Sequence, residues 1–181
     1  MKEIFMKQAL KEAKKAEKKL EVPIGVVIVK DNKIIARAHN LRESKQNAIA
    51  HAEILAIQKA CKKLNSWRLN GCDMYVTLEP CPMCAGAILN SRINKVYIGA
   101  SEPRSGAVGA KINLFEDYNY NHKVEYDKGI LEEECKNVMQ KLCKSFLKNF
   151  EKSRKILLTK KTIVSILTVK MKRSESNGKR Y

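Results

Sequence analysis

Apolar positions along the chain follow two rhythms. Between residues 3 and 20, Phe5, Ala9, Ala13, Ala16 and Leu20 recur at helical spacing with lysines opposite, which predicts an amphipathic helix. Val22-Pro23-Ile24-Gly25 ends it. Val26 to Val29 reads as a buried strand, Asp31-Asn32 as a turn, and Lys33 to Ala38 as the returning strand of a hairpin. A polar loop, His39 to Ala48, leads to a helix over Ala50 to Leu64, with Ile54, Leu55, Ile57, Ala60 and Cys61 as its inner face. A third strand covers Met74 to Leu78. A helix opens at Pro82 and runs to Leu89, since a first-turn proline lacks only an N–H that needs no helical partner. Lys95 to Ile98 is a fourth strand and Val124 to Tyr126 a short fifth. A last helix starts near Leu131 and extends to about Phe150.

Strands alternating with helices predict an α/β fold, with a mixed sheet of about five strands flanked by helices. Residues 1–150 make one domain. Residues 151–181 are rich in Lys, Arg, Ser and Thr and build core poorly, so a loosely ordered basic extension is expected there. The longest apolar runs, Val26 to Val29 and Ile163 to Val169, are too short to span a bilayer. The first residues lack the apolar stretch and cleavage site of a signal peptide, so a cytoplasmic location is expected.

The formal net charge is +17. Such an excess suits a polyanion such as nucleic acid. It suits a generally basic, solvated surface equally well, so charge alone leaves both open. Of the six cysteines, only Cys81 and Cys84 have ligand-like spacing; Cys61, Cys72, Cys135 and Cys143 read as small apolar residues in or near the core.

The chemistry concentrates in His51-Ala52-Glu53 and Pro80-Cys81-Pro82-Met83-Cys84, with Asn40 ahead of both. A catalytic zinc takes three protein ligands of this kind and keeps a fourth position for water. Cys81 begins a predicted helix and Cys84 lies one turn in, so both sulfurs can reach one point. His51 begins another. Glu53, two residues on, is placed to take a proton from a zinc-activated water and to return it, acting as base and then acid. A CxxC alone is often a structural zinc half-site or a redox pair. A structural site would want a fourth paired Cys or His, and a redox pair would need neither His51 nor Glu53.

HxE followed by PCxxC is the signature of zinc nucleobase deaminases. The chain resembles the cytidine and deoxycytidylate deaminase superfamily, and within it the bacterial tRNA-specific adenosine deaminases. The resemblance covers roughly residues 3–150. It is carried by Val22-Pro23-Ile24-Gly25, Ala50-His51-Ala52-Glu53-Ile54, Tyr75 through Ile88, Ser91-Arg92-Ile93 and Gly106-Ala107-Val108-Gly109. It implies a three-layer α/β/α sandwich and one zinc per subunit, held by His51, Cys81 and Cys84, with Glu53 as the catalytic residue. It also implies a homodimer that deaminates adenosine to inosine at the wobble position of a tRNA anticodon stem-loop. By the same resemblance, Asn40 contacts substrate, backbone at Ala52 and Cys81 cradles the ring, and Val22, Ile24 and Leu78 form apolar walls. Glu102 stands where the family usually has an Asp that contacts ribose. Arg104, Lys111, Lys144 and Lys148 are candidate RNA contacts. The alternative is a deaminase of a free base or nucleotide, of guanine or deoxycytidylate type, which shares the zinc motif. A non-catalytic RNA-binding subunit is disfavoured because it would be expected to lose Glu53.

Overall fold

In the computed structural model, residues 1–117 and 119–141 are described, all within one compact unit, Met1–Leu142. Their elements are α1 (Lys2–Glu17), β1 (Gly25–Lys30), β2 (Lys33–His39), α2 (Ala52–Leu64), β3 (Cys72–Leu78), α3 (Pro82–Asn90), β4 (Lys95–Ala100) and β5 (Glu125–Asp127). Residues 132–141 are also helical and are called α4 here. The rest of the expected last helix, together with Cys143, Lys144, Lys148 and the 151–181 extension, lies outside the described residues.

β1 carries an unbroken apolar run because both of its faces are covered. Val26 and Ile28 face one core, with Ala56, Ala60 and Ile88, while Val27 and Val29 face another, with Phe5, Met6, Ala9 and Val138. Helices α2 and α3 thus cover one face of the sheet, and α1 and α4 the other. The expected three-layer α/β/α sandwich is present.

The sheet order is β2-β1-β3-β4-β5. β1 pairs antiparallel with both β2 and β3, whereas β3 pairs parallel with β4, and β4 with β5. The hairpin turns at Asp31 and Asn32, with φ of 48° and 57°, as a two-residue turn requires. The parallel step from β3 to β4 needs a crossover, which α3 supplies. That crossover leaves the start of α3 at the C-terminal end of β3, the edge where open α/β sheets bind ligands.

Three details differ from the sequence expectation. α1 ends at Glu17, and Leu20, in a left-handed conformation at φ 59°, is exposed rather than part of the apolar stripe. The chain must turn there to enter β1. α2 starts at Ala52 because His51 is extended, at φ −71° and ψ 152°, and serves as its N-cap. The innermost face of α2 is Ala52, Ala56 and Ala60, all fully buried, while Leu55, Ile57 and Cys61 pack partly buried beside them and Ile54 stays outside that core. The small side chains let the helix approach the sheet closely, so the bulky ones are displaced to its flanks.

Candidate active site

Two helix starts meet at one end of the sheet. His51 caps α2 and Cys81 caps α3, both with extended backbone. Pro82 fixes the first turn of α3, and Cys84 follows within that turn, buried. Cys81 Sγ lies 3.8 Å from His51 Nδ1, and Cys84 Sγ lies 3.5 Å from it. The three ligand atoms fall within 4.8 Å of one another. In a tetrahedral zinc site the distance between a sulfur and a nitrogen ligand is about 3.6 Å, from bond lengths of about 2.3 and 2.0–2.1 Å. The donor set and its spacing therefore fit zinc. Among the described residues this is the one group of three such side chains that close together.

The electrostatics suit thiolate ligation. A hydrogen bond from Cys84 is the main cause that pulls the Cys81 thiol down to about 4, and His51 adds to it. Cys84 is pushed up because it donates to that thiolate and is buried. His51 is raised, chiefly by its bond to Cys81. Such mutual sharing of protons is what a cation at this point would relieve, by taking both sulfurs as thiolates.

Glu53, in the first turn of α2, is 2% exposed. Burial pushes its carboxyl up to about 7. Its Oε2 is buried with no hydrogen-bond partner among the described residues. An unpartnered buried carboxylate oxygen is costly unless something polar meets it. At this place, beside a three-ligand site, a water or substrate group would do so.

A cavity of about 280 Å³ opens above this cluster. Val22, Ile24, Asn40, Leu78, Glu102 and Arg104 line it, together with His51, Glu53 and Cys81. Its size falls near the low end for ligand pockets, enough for one planar base. Ala52 is fully buried and does not line it. Lys111 is exposed and also lies off the cavity. Arg42, Glu43, Ser105 and Met139 line the cavity without having been expected. A larger groove of about 890 Å³ follows β5, and its lining mixes charged side chains with Phe115, Tyr120, Val124 and Tyr126 and lacks the His-Cys-Cys group.

Two buried carboxylates hold the cavity walls. Glu79 Oε1 accepts from the backbone N–H of Val108 and Ala110, at 2.9 Å each, and Oε2 accepts from Glu102 N at 3.3 Å. Lys128 Nζ stands 3.6 Å from the same carboxylate. Glu79 thereby ties down the loop that carries Glu102 and Arg104. Glu102 Oε1 in turn accepts from Arg104 N and Nε. On the other wall, Glu21 accepts from the Asn40 side chain and from the backbone of Glu43 and Ser44. The sequence gives no local sign of these roles, since the hydrogen-bond partners lie 19 to 31 residues away.

A family model of MafB19-like deaminases matches residues 1–149. A tRNA-specific adenosine deaminase of Bacillus subtilis (strain 168) is 53% identical over 155 residues, covering 86% of this chain and 96% of that protein. The chain belongs to the tRNA-specific adenosine deaminase family. A solved structure from a study of A-to-I editing by tRNA:A34 deaminases at the wobble position is 43% identical to this deaminase. It superposes with a TM-score of 0.72, covering 74% of this chain and 97% of that one. A guanine deaminase from Bacillus subtilis is also similar, at 34% identity and a TM-score of 0.53, covering 65% of this chain and 85% of that one. That guanine deaminase shares the fold at lower identity and coverage than the tRNA:A34 deaminase structure.

Proposed function

We propose that this deaminase converts adenosine to inosine at the wobble position of a tRNA anticodon, using one zinc ion held by His51, Cys81 and Cys84. The observation that carries the reading is Glu53 Oε2, without a hydrogen-bond partner among the described residues, beside the His-Cys-Cys group and beneath a base-sized cavity. Identity to proteins named for the tRNA reaction supports the choice of substrate. The proposed enzyme acts in the cytoplasm as a homodimer. Among the described residues, no helix is long and apolar enough to cross a membrane.

Hydrolysis adds water at C6 of adenine and releases ammonia. Bound zinc lowers the pKa of a water ligand to about 7 and so supplies a nucleophile at neutral pH. Glu53 accepts a proton from the attacking water and returns it to the ring nitrogen beside C6. It then carries the second proton to the departing amine, so one carboxyl group serves both transfers. Val22, Ile24 and Leu78 exclude water from the ring faces, and Asn40 and the backbone at Cys81 fix the ring edge. Glu102 faces the ribose side. Arg104 and Lys111 contact the anticodon loop; Lys144 and Lys148, the other candidate RNA contacts, lie outside the described residues. An unpaired loop base is extruded at lower cost than a paired one, and contacts to its neighbours add binding energy that can be used at the reacting atom.

The competing reading is a deaminase of free guanine or of a deoxynucleotide, with the same metal ligands. One assay separates them. Anticodon stem-loops with adenosine or cytidine at the wobble position, free guanine and deoxycytidylate are each incubated with the zinc-loaded protein, and the products quantified. The adenosine stem-loop is expected to yield inosine, with the others slow or inert. Faster turnover of guanine or of the deoxynucleotide would overturn the tRNA reading.

A further inference from the structure

Glu21 is fully buried at the junction between α1 and β1, next to the cavity residue Val22. Its carboxylate accepts from the Asn40 side chain and from the Glu43–Ser44 turn. Asn40 Nδ2 and Glu43 N bond to Oε2 at 3.1 and 3.2 Å, and Ser44 N bonds to Oε1 at 2.6 Å. A carboxylate can only accept, so the face of the Asn40 amide against it must be the NH₂. This fixes the sense of an amide that could otherwise flip. Asn40 lines the cavity, and its Oδ1 and second N–H take no part in the bond to Glu21. Asn40 is itself only 4% exposed, and its backbone N–H bonds to Ile24 O, so both ends of the residue are held. The two backbone bonds fix the start of the loop that brings Arg42 and Glu43 to the cavity rim.

A lone buried carboxylate is costly to desolvate. Among the described residues no arginine or lysine stands at salt-bridge distance from Glu21; hydrogen bonds from Asn40, Glu43 and Ser44 meet that cost, and the charge of Lys19 adds to them. Glutamine would fill the same space. It would set an NH₂ against at least one N–H donor and lose the charge that orders these bonds.

We infer that Glu21 is a positioning residue for this reaction, acting through Asn40: its buried carboxylate sets the orientation in which the Asn40 amide meets the substrate. The inference rests on the proposed contact between Asn40 and the substrate base or its ribose.

The test is a double-mutant cycle on the zinc-loaded full chain, with parent, Glu21→Gln, Asn40→Ala and the double variant. Each is assayed for kcat and KM on the wobble-adenosine stem-loop, free guanine and deoxycytidylate. Whichever substrate the parent converts serves for the cycle, so a failure of the tRNA reading shows separately. Affinity for the same substrate is measured in parallel, in case Asn40→Ala turns over too slowly to follow. Glu21→Gln is expected to lower kcat/KM about 10- to 100-fold, the range for losing a hydrogen bond to a charged group or misplacing a contact. In the Asn40→Ala background the same change is expected to cost less than about twofold, since residues that act through one another are not additive. Zinc content should stay at the parent's level. Glu21→Asp, which keeps the charge, should recover part of the loss, and it carries the cycle if Glu21→Gln does not fold. Glu21→Gln within about twofold of the parent would overturn the inference. So would a loss of equal size with and without Asn40, which would make Glu21 a residue of stability alone.

Discussion

Cys84 Sγ lies 3.5 Å from His51 Nδ1, although 33 residues separate them in the chain. The sheet makes the contact. β3 lies between β1 and β4, so the helix that follows β3 starts beside the helix that follows the β1–β2 hairpin. Each helix offers its ligand from its cap or first turn, where the unpaired N–H groups also favour thiolate. Cys81→Ser and Cys84→Ser are therefore expected to lose most of the bound zinc. Elemental analysis of purified protein should give about one zinc per parent chain and much less in either variant, with a lowered unfolding temperature because metal binding stabilises the folded state. Full occupancy in both variants would remove these sulfurs from the site.

Glu53→Gln separates chemistry from folding. The substitution keeps the volume of a side chain that is 2% exposed, so the fold and the zinc should survive. It removes the carboxylate, one oxygen of which has no hydrogen-bond partner among the described residues. Losing a proton-transferring group costs a factor of about 10² to 10⁴, and this group is proposed to act in both transfers, so turnover is expected to fall by at least that much. The measurement is a single-turnover rate beside zinc content. Turnover near the parent's rate would exclude Glu53 from the proton path.

The legible part of the site was the part built from local sequence. His51 and Glu53 share one helix start, Cys81 and Cys84 another, and helix geometry alone brings each pair together. The five strands were legible for a similar reason, since β-branched runs such as Val26 to Val29 have no other use at that length. The supports were not legible. Glu79 and Glu21 bond to backbone N–H groups of loops far along the chain, and a backbone donor leaves no residue type to recognise. On the inner face of α2, Ala60, Leu55, Ile57 and Cys61 are legible, but hydrophobicity ranks Ile54 above Ala56, whereas close packing on a sheet favours the alanine.

Acid should weaken the fold through a second buried carboxylate, Glu12. Its Oε1 meets Lys15 Nζ at 2.7 Å and its Oε2 meets His39 Nδ1 at 3.1 Å. Burial pushes this carboxyl up, but the bonds from Lys15 and His39 together outweigh it, so its pKa is lowered overall from 4.5. A folded pKa below the unfolded one means that the unfolded chain binds the proton more readily. The stabilisation is therefore complete above the unfolded value of about 4.3, and it is lost as pH falls through the folded value. Denaturant midpoints of parent and Glu12→Gln, measured from pH 7 to pH 3, should differ at neutral pH and converge in acid. Comparing the two cancels acid release of zinc, which both share. A constant gap across the range would show that Glu12 titrates alike in both states.

Gly25 sets how closely α1 lies against the sheet. It opens β1, and its N–H donates to Thr77 Oγ1 at 3.1 Å. A Cβ added there would meet Ala9 O and Ala13 N, both backbone atoms of α1. No rotamer change can clear a backbone clash, so α1 would have to move away from β1. Ala9 and Ala13 are fully buried at the same contact, which leaves no slack beside it. Overpacking of this kind typically costs about 1–3 kcal/mol, occasionally more, and Gly25→Ala is expected to fall at or above that range. Gly86 provides the contrast. It lies inside α3, and a Cβ there meets nothing within 4 Å. Glycine in a helix interior costs roughly 0.5–1 kcal/mol relative to alanine, so Gly86→Ala should leave the chain as stable or slightly more so. The measurement is thermal or denaturant unfolding of both variants at equal zinc loading. The displaced α1 would also shift Val22 and Ile24, which lie between it and the cavity along the chain, so Gly25→Ala should raise KM as well as lower stability. If both variants unfold together with the parent, the contact between α1 and β1 is looser than these positions require.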